Sequence, residues 1–179
     1  MRRRLQLTAL VAVVAVLGVV GAALATGGRS VHERLSGYNE TPLALSTTGS
    51  GKFDGSFSRF SGKFTYKLSY RDLEGAVTQA HIHFGTESQT GGISVFLCTN
   101  LGNGPAGTQA CPAAPATITG TIKPADVIGP AGQGIGPGEF DELMDALQAG
   151  VTYVNVHSAK YPGGEIRAQI DADRRHDGD

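Results

Sequence analysis

Phe60-Ser61-Gly62-Lys63-Phe64-Thr65-Tyr66-Lys67-Leu68-Ser69-Tyr70 is the stretch on which the fold turns. Its even positions are aromatic, aliphatic or Gly, and its odd positions are Ser, Lys or Thr. A strand sends successive side chains to opposite faces, so this period of two marks a β-strand with one face dry and the other wet. Gly49 to Phe57 reads as its hairpin partner, with Ser58-Arg59 near the turn.

The same pattern continues outward. Val77–Phe84, Ile93–Cys98, Ala116–Ile122, Val151–Ser158 and Glu165–Ile170 are further strand candidates. The segments 100–105 and 129–138 are loops by their Gly and Pro content. One helix is expected, since Phe140, Leu143, Met144 and Leu147 recur at helical spacing and Gly150 follows as a cap. Pro124–Ile128 adds one further turn. Seven or eight short strands with turns between them predict an all-β, antiparallel, Greek-key-like β-sandwich or barrel.

Composition narrows the function. The chain has 179 residues, 26 of them Gly, with a net charge of −1. Phosphate neutralisation needs more cations than that, so nucleic acid is not expected as a partner. No phosphate-binding glycine motif follows a strand, and no Gly-x-Ser-x-Gly elbow occurs. The acids Asp54, Asp72, Glu74 and Glu87 fall in expected turns, so no carboxylate pair stands out for glycoside hydrolysis.

Residues 1–25 have the layout of a cleaved secretory signal. Arg2, Arg3 and Arg4 precede an apolar run from Ala9 to Ala23, and Ala23-Leu24-Ala25 is a small-x-small cleavage site. Removal would leave twelve Lys and Arg against sixteen acids, a charge of −4, with no later apolar span. The domain expected from this is secreted or otherwise extracytoplasmic. In that compartment Cys98 and Cys111 are expected to form a disulfide around a Gly-rich loop. Residues 26–34 read as a polar lead-in, 35–170 as the domain and 171–179 as a charged tail.

Most of the chemistry lies on two strands. Ala80, Ile82 and Phe84 should face the core, which puts His81 and His83 together on the outward face. Val154 and Val156 should likewise face inward, which turns Tyr153, Asn155 and His157 outward. Arg167 takes the outward position on the last strand, with Glu165 before it. If the two histidine strands are neighbours, His81, His83 and His157 converge at the spacing that a zinc or copper ion accepts. The alternative is that these imidazoles bond to a loop, with Asn155, Glu165 and Arg167 as partners and the 99–137 region as cover.

Several of these segments, in this order, resemble a CHRD (chordin) domain. They are Leu35-Ser36-Gly37 with Glu40-Thr41-Pro42, then Val77 to His83, then Gly150 to His157, then Pro162-Gly163-Gly164-Glu165-Ile166-Arg167. The likeness spans about Leu35 to Ile170 and is closest to single-domain members of bacterial type. It implies an extracellular β-sandwich module. Growth-factor binding is not carried over, because one copy stands here without cysteine-rich companion modules. A fainter likeness to copper/zinc superoxide dismutase would make His81, His83 and His157 copper ligands and put Arg167 near an anionic substrate. No histidine lies between His83 and His157, so that enzyme's bridging and zinc ligands have no counterpart.

Two functions follow as expectations. One is a non-catalytic structural or binding module. Its partner, an extracellular protein or surface ligand, would meet the outer sheet around His81, His83, Asn155 and His157, with Glu165 and Arg167 on the same surface and the 99–137 loops over it. The other is a copper- or zinc-binding protein using His81, His83 and His157.

Overall fold

A computed structural model describes residues 29–58 and 62–172. The expected signal at 1–25 lies outside the described residues, as do the tail beyond Ala172 and Phe60 at the head of the deciding strand. Eight strands form: β1 (Arg29–Ser36), β2 (Ser50–Ser58), β3 (Lys63–Arg71), β4 (Val77–Phe84), β5 (Gly92–Thr99), β6 (Ala116–Ile122), β7 (Thr152–Ser158) and β8 (Ile166–Ile170). All pairings are antiparallel, in one sheet of order β5-β4-β7-β8-β1-β2-β3-β6.

The sheet curls until its two edge strands face one another, giving a nearly closed barrel. Side-chain chemistry bridges the seam. The Gln109 amide donates to the carbonyls of Leu97 on β5 (3.0 Å) and Thr119 on β6 (3.3 Å). Gln109 also donates to the Tyr66 hydroxyl, which itself donates to Leu97 O. The Cys98–Cys111 disulfide forms and holds the loop that carries Gln109.

Alternation fills the interior as expected. Phe64, Tyr66, Leu68 and Tyr70 on β3 are buried, and Lys63, Thr65 and Lys67 are exposed. Phe53, Ile82, Val154, Val156, Ile166 and Ile170 complete the centre of the same cluster. The helix α1 (Phe140–Gln148) adds Phe140, Leu143, Met144 and Leu147 to it and leaves Asp141, Glu142 and Asp145 outside. Two of those acids sit in its first turn, where the helix dipole favours them.

The lead-in reading needs correction. The sheet begins at Arg29, so residues 29–34 belong to β1, which pairs with β2 along its whole length. Only Val31 and Leu35 show an apolar period there, because the third inward position of that strand is Glu33. The Glu33 carboxylate accepts the backbone N–H of Asp171, which also ties down the first residue of the expected tail.

Candidate metal centre

The register of three strands assembles the site. His81 faces Asn155 across the β4–β7 pair, and His83 faces Tyr153. Asn155 faces Arg167 across β7–β8. His157 stands opposite Gln79, one outward step from His81. The outward face of β4, β7 and β8 therefore carries His81, His83, His157, Tyr153, Asn155 and Arg167 as one patch.

That patch is not wet. His81 is fully buried, His83 and His157 are 8 % and 6 % exposed, and every residue of β7 is buried. Asn155, Glu165 and Arg167, expected on an open binding surface, are also buried. Glu165 lies just before β8 rather than within it. Its Oε1 accepts from the Thr47 hydroxyl and the Glu74 backbone N–H, both at 2.7 Å. The cover differs from the 99–137 region expected. Segments 37–47, 85–91 and 159–165 supply it, through contacts at Asn39, Glu40, Thr86, Gln89, Gly91 and Pro162. The 99–137 region touches only the borders, where Asn103 meets Gln79 and Gln133 meets Gly92 and Phe84 O. Short loops next to a strand in sequence reach its face at less entropic cost than a long excursion does.

Hydrogen bonds orient the imidazoles. His83 Nδ1 lies 3.0 Å from Gly91 O, and His157 Nδ1 lies 3.0 Å from Pro162 O. A carbonyl only accepts, so both Nδ1 atoms carry the proton and both Nε2 atoms are lone pairs when the rings are neutral. His81 Nδ1 lies 3.1 Å from His157 Nε2, so His81 donates there and keeps its lone pair on Nε2. The Nε2 atoms of His81 and His83 are buried and find no hydrogen-bond partner among the described residues. Each such orphan costs about 1–3 kcal/mol. One ring nitrogen from each of the three residues falls within a group spanning 4.8 Å.

The rings are also held by packing. His81 meets the edge of Phe96 at 4.4 Å, and His83 stacks flat on Tyr153 at 4.7 Å. The Arg167 guanidinium lies 3.5 Å over the Tyr153 ring and donates to the carbonyls of Thr86 and Gln89. The Tyr153 hydroxyl in turn accepts the Gly91 N–H. Gly91 is required, because a Cβ there would stand 1.6 Å from Phe84 O.

Burial sets the charge state. Desolvation, then the neighbouring His157 and His83, push His81 down to about 2. Desolvation outweighs the Gly91 bond and takes His83 down to about 4, and burial also lowers His157. All three are neutral at pH 7, the form that ligates a metal. Burial raises Glu40 to about 7 despite the hydrogen bond from Asn155 Nδ2 (2.8 Å) and the attraction of Arg167. Glu40, Tyr153, Phe96 and Gly91 had no assigned role in the sequence. The sequence signals for them are the Glu40-Thr41-Pro42 motif of the family resemblance and an aromatic, Phe96, within β5.

Fold and site define a class: a single-sheet antiparallel barrel with a buried three-histidine cluster on its outer wall. Within that class the CHRD domain matches residues 31–170, and the chain belongs to the CHRD-domain family. A comparison with curated proteins and another with solved structures returned no match. The extracellular setting of CHRD domains agrees with the Cys98–Cys111 disulfide. No helix among the described residues is long and apolar enough to cross a membrane.

Proposed function

We propose that this exported CHRD barrel binds one transition-metal ion of the zinc or copper type through His81, His83 and His157. One observation carries the reading. Three buried neutral imidazoles converge with two unpaired ring nitrogens, and two of the rings are fixed by Nδ1–H donation to backbone carbonyls. Such donation sets the tautomer, leaves Nε2 as the ligand and raises its basicity. An all-imidazole donor set suits zinc and copper and does not suit calcium or magnesium, which take oxygen ligands. Rigid neighbouring strands lower the cost of bringing the ligands together. Asn155, Glu165 and Arg167 support the wall behind the rings, since their burial leaves no open surface for a macromolecular partner at that point.

Calorimetric titration of the metal-stripped full chain with Zn²⁺ and with Cu²⁺ tests this, beside the His81→Ala/His83→Ala variant. One saturable equivalent in the parent, lost in the variant, is the expected result. Absence of saturable binding in a folded parent overturns it.

A further inference from the structure

The charges of this protein are unevenly placed. Residues 30–58 and 62–172 contain eight Lys and Arg and thirteen Asp and Glu. Five of the eight cations, Arg34, Lys52, Lys63, Lys67 and Arg71, occupy outward positions on β1, β2 and β3. The other three are Lys123, Lys160 and Arg167. Of the thirteen acids, only Asp54 stands at an outward position of β1, β2, β3 or β6, where it meets His32 at 2.8 Å and stands opposite Lys67. Asp72 flanks Arg71 just past the end of β3. A chain of net charge −1 thus presents one cationic wall.

The wall's chemistry is uniform. Every outward position on the four strands is Ser, Thr, Lys, Arg, His or Asp, and none is aromatic or aliphatic. Arg34 stands directly opposite Lys52, and Lys67 lies one outward step along on the next strand. Like charges directly opposed across a sheet are destabilising, with β-carbons about 5 Å apart. No ion pair among the described residues relieves Arg34, Lys52, Lys63 or Lys67. A depression of about 670 Å³ lies at one end of the same strands, where Arg34, Lys52 and Arg71 meet the edges of Leu35, Tyr70, Pro115 and Ala116.

We infer that the outward face of β1-β2-β3-β6 binds an anionic polysaccharide. Sulfate, phosphate or carboxylate groups recurring along such a chain match cations about 5 Å apart across β1 and β2, at Arg34 and Lys52, and about 13 Å apart along β3, at Lys63, Lys67 and Arg71. The intervening hydroxyls suit the sugar hydroxyls. With no aromatic or aliphatic side chain at its outward strand positions, the face offers neither a stacking platform for bases nor an apolar wedge for a bilayer. This surface is separate from the histidine cluster, so the partner sought by the binding-module expectation would meet this wall and not the buried patch on β4, β7 and β8.

The test uses the full chain and fluorescently labelled dextran sulfate, with neutral dextran as the control polymer. The expected result is binding to dextran sulfate alone, weakening as salt rises from about 20 to about 200 mM by release of counterions. Lys52→Glu/Lys67→Glu should lose about tenfold or more in affinity while retaining its circular dichroism spectrum and metal binding. Lys160→Glu, away from the wall, should bind as the parent does. Equal affinity of the parent and the double variant overturns the inference. So does equal binding to neutral dextran, or stronger competition by duplex DNA or phosphatidylserine vesicles than by unlabelled dextran sulfate at matched charge.

Discussion

Replacing Glu40 by Gln should make the protein more stable at pH 8 while changing little at pH 5. Glu40 is 8 % exposed and accepts the Asn155 amide at 2.8 Å. Desolvation raises its carboxyl from 4.5 to about 7, against the opposing pull of Asn155 and Arg167, with Glu165 adding to the rise. The folded state therefore holds a proton that the unfolded state releases near pH 4.5. Stability from this group is complete below pH 4.5 and is lost as pH rises through 7. At about 1.4 kcal/mol per pH unit, the full loss is about 3 kcal/mol, most of it between pH 5 and 8. Gln keeps the oxygen that accepts from Asn155 and has no proton to lose. His81, His83 and His157 shift the other way. Their folded pKa values lie below those of the unfolded chain, so their contribution is present above about pH 6.5 and falls away in acid. Both chains share that loss, and it cancels in the difference. Urea unfolding of parent and Glu40→Gln at pH 5, 6, 7 and 8 reads the difference directly. A gap that widens by 2–3 kcal/mol toward pH 8 is expected. Parallel curves, within about 0.5 kcal/mol, would show that Arg167 keeps Glu40 ionised and would refute the reasoning.

Gly164→Ala should cost more than about 2 kcal/mol, because φ is +134° and the new Cβ would meet Asn155 and Glu40 at 2.6–2.7 Å; a change in melting temperature of less than a few degrees would contradict this. Cys98→Ala/Cys111→Ala should destabilise by about 3 kcal/mol through the freed loop, and amide exchange should rise at Leu97 and Thr119, where Gln109 closes the seam. Arg167→Met should loosen the 85–91 segment, which the guanidinium holds at the Thr86 and Gln89 carbonyls. Limited proteolysis should then cut there first, and unchanged protection would assign the segment's order to other contacts.

Local pattern carried most of the fold. Val77–Phe84 and Ala116–Ile122 keep their expected bounds, and the other expected strands move by one to three residues. Period-two patterning specifies a strand and the face it buries without reference to any neighbour. The strand β1 escaped because Glu33 occupies an inward position and finds its partner 138 residues away. Charge along β3 was equally legible, but the cationic wall needed the pairing of β1 with β2 and of β2 with β3 to bring Arg34, Lys52 and Lys67 together.

The sequence alone determined that this is an antiparallel β domain, with a cysteine pair spaced for a loop and three histidines on outward strand positions. Alternation is a property of each strand by itself, so one strand at a time suffices to read it. The tertiary structure alone decided that β4 neighbours β7, that the outward histidines are dry and that their rings converge. Those facts depend on pairing between residues 81 and 155 and on loops folding back over the sheet. No residue encodes its own desolvation: it comes from what other segments place above it, and here it turns an outward, polar face into a buried one.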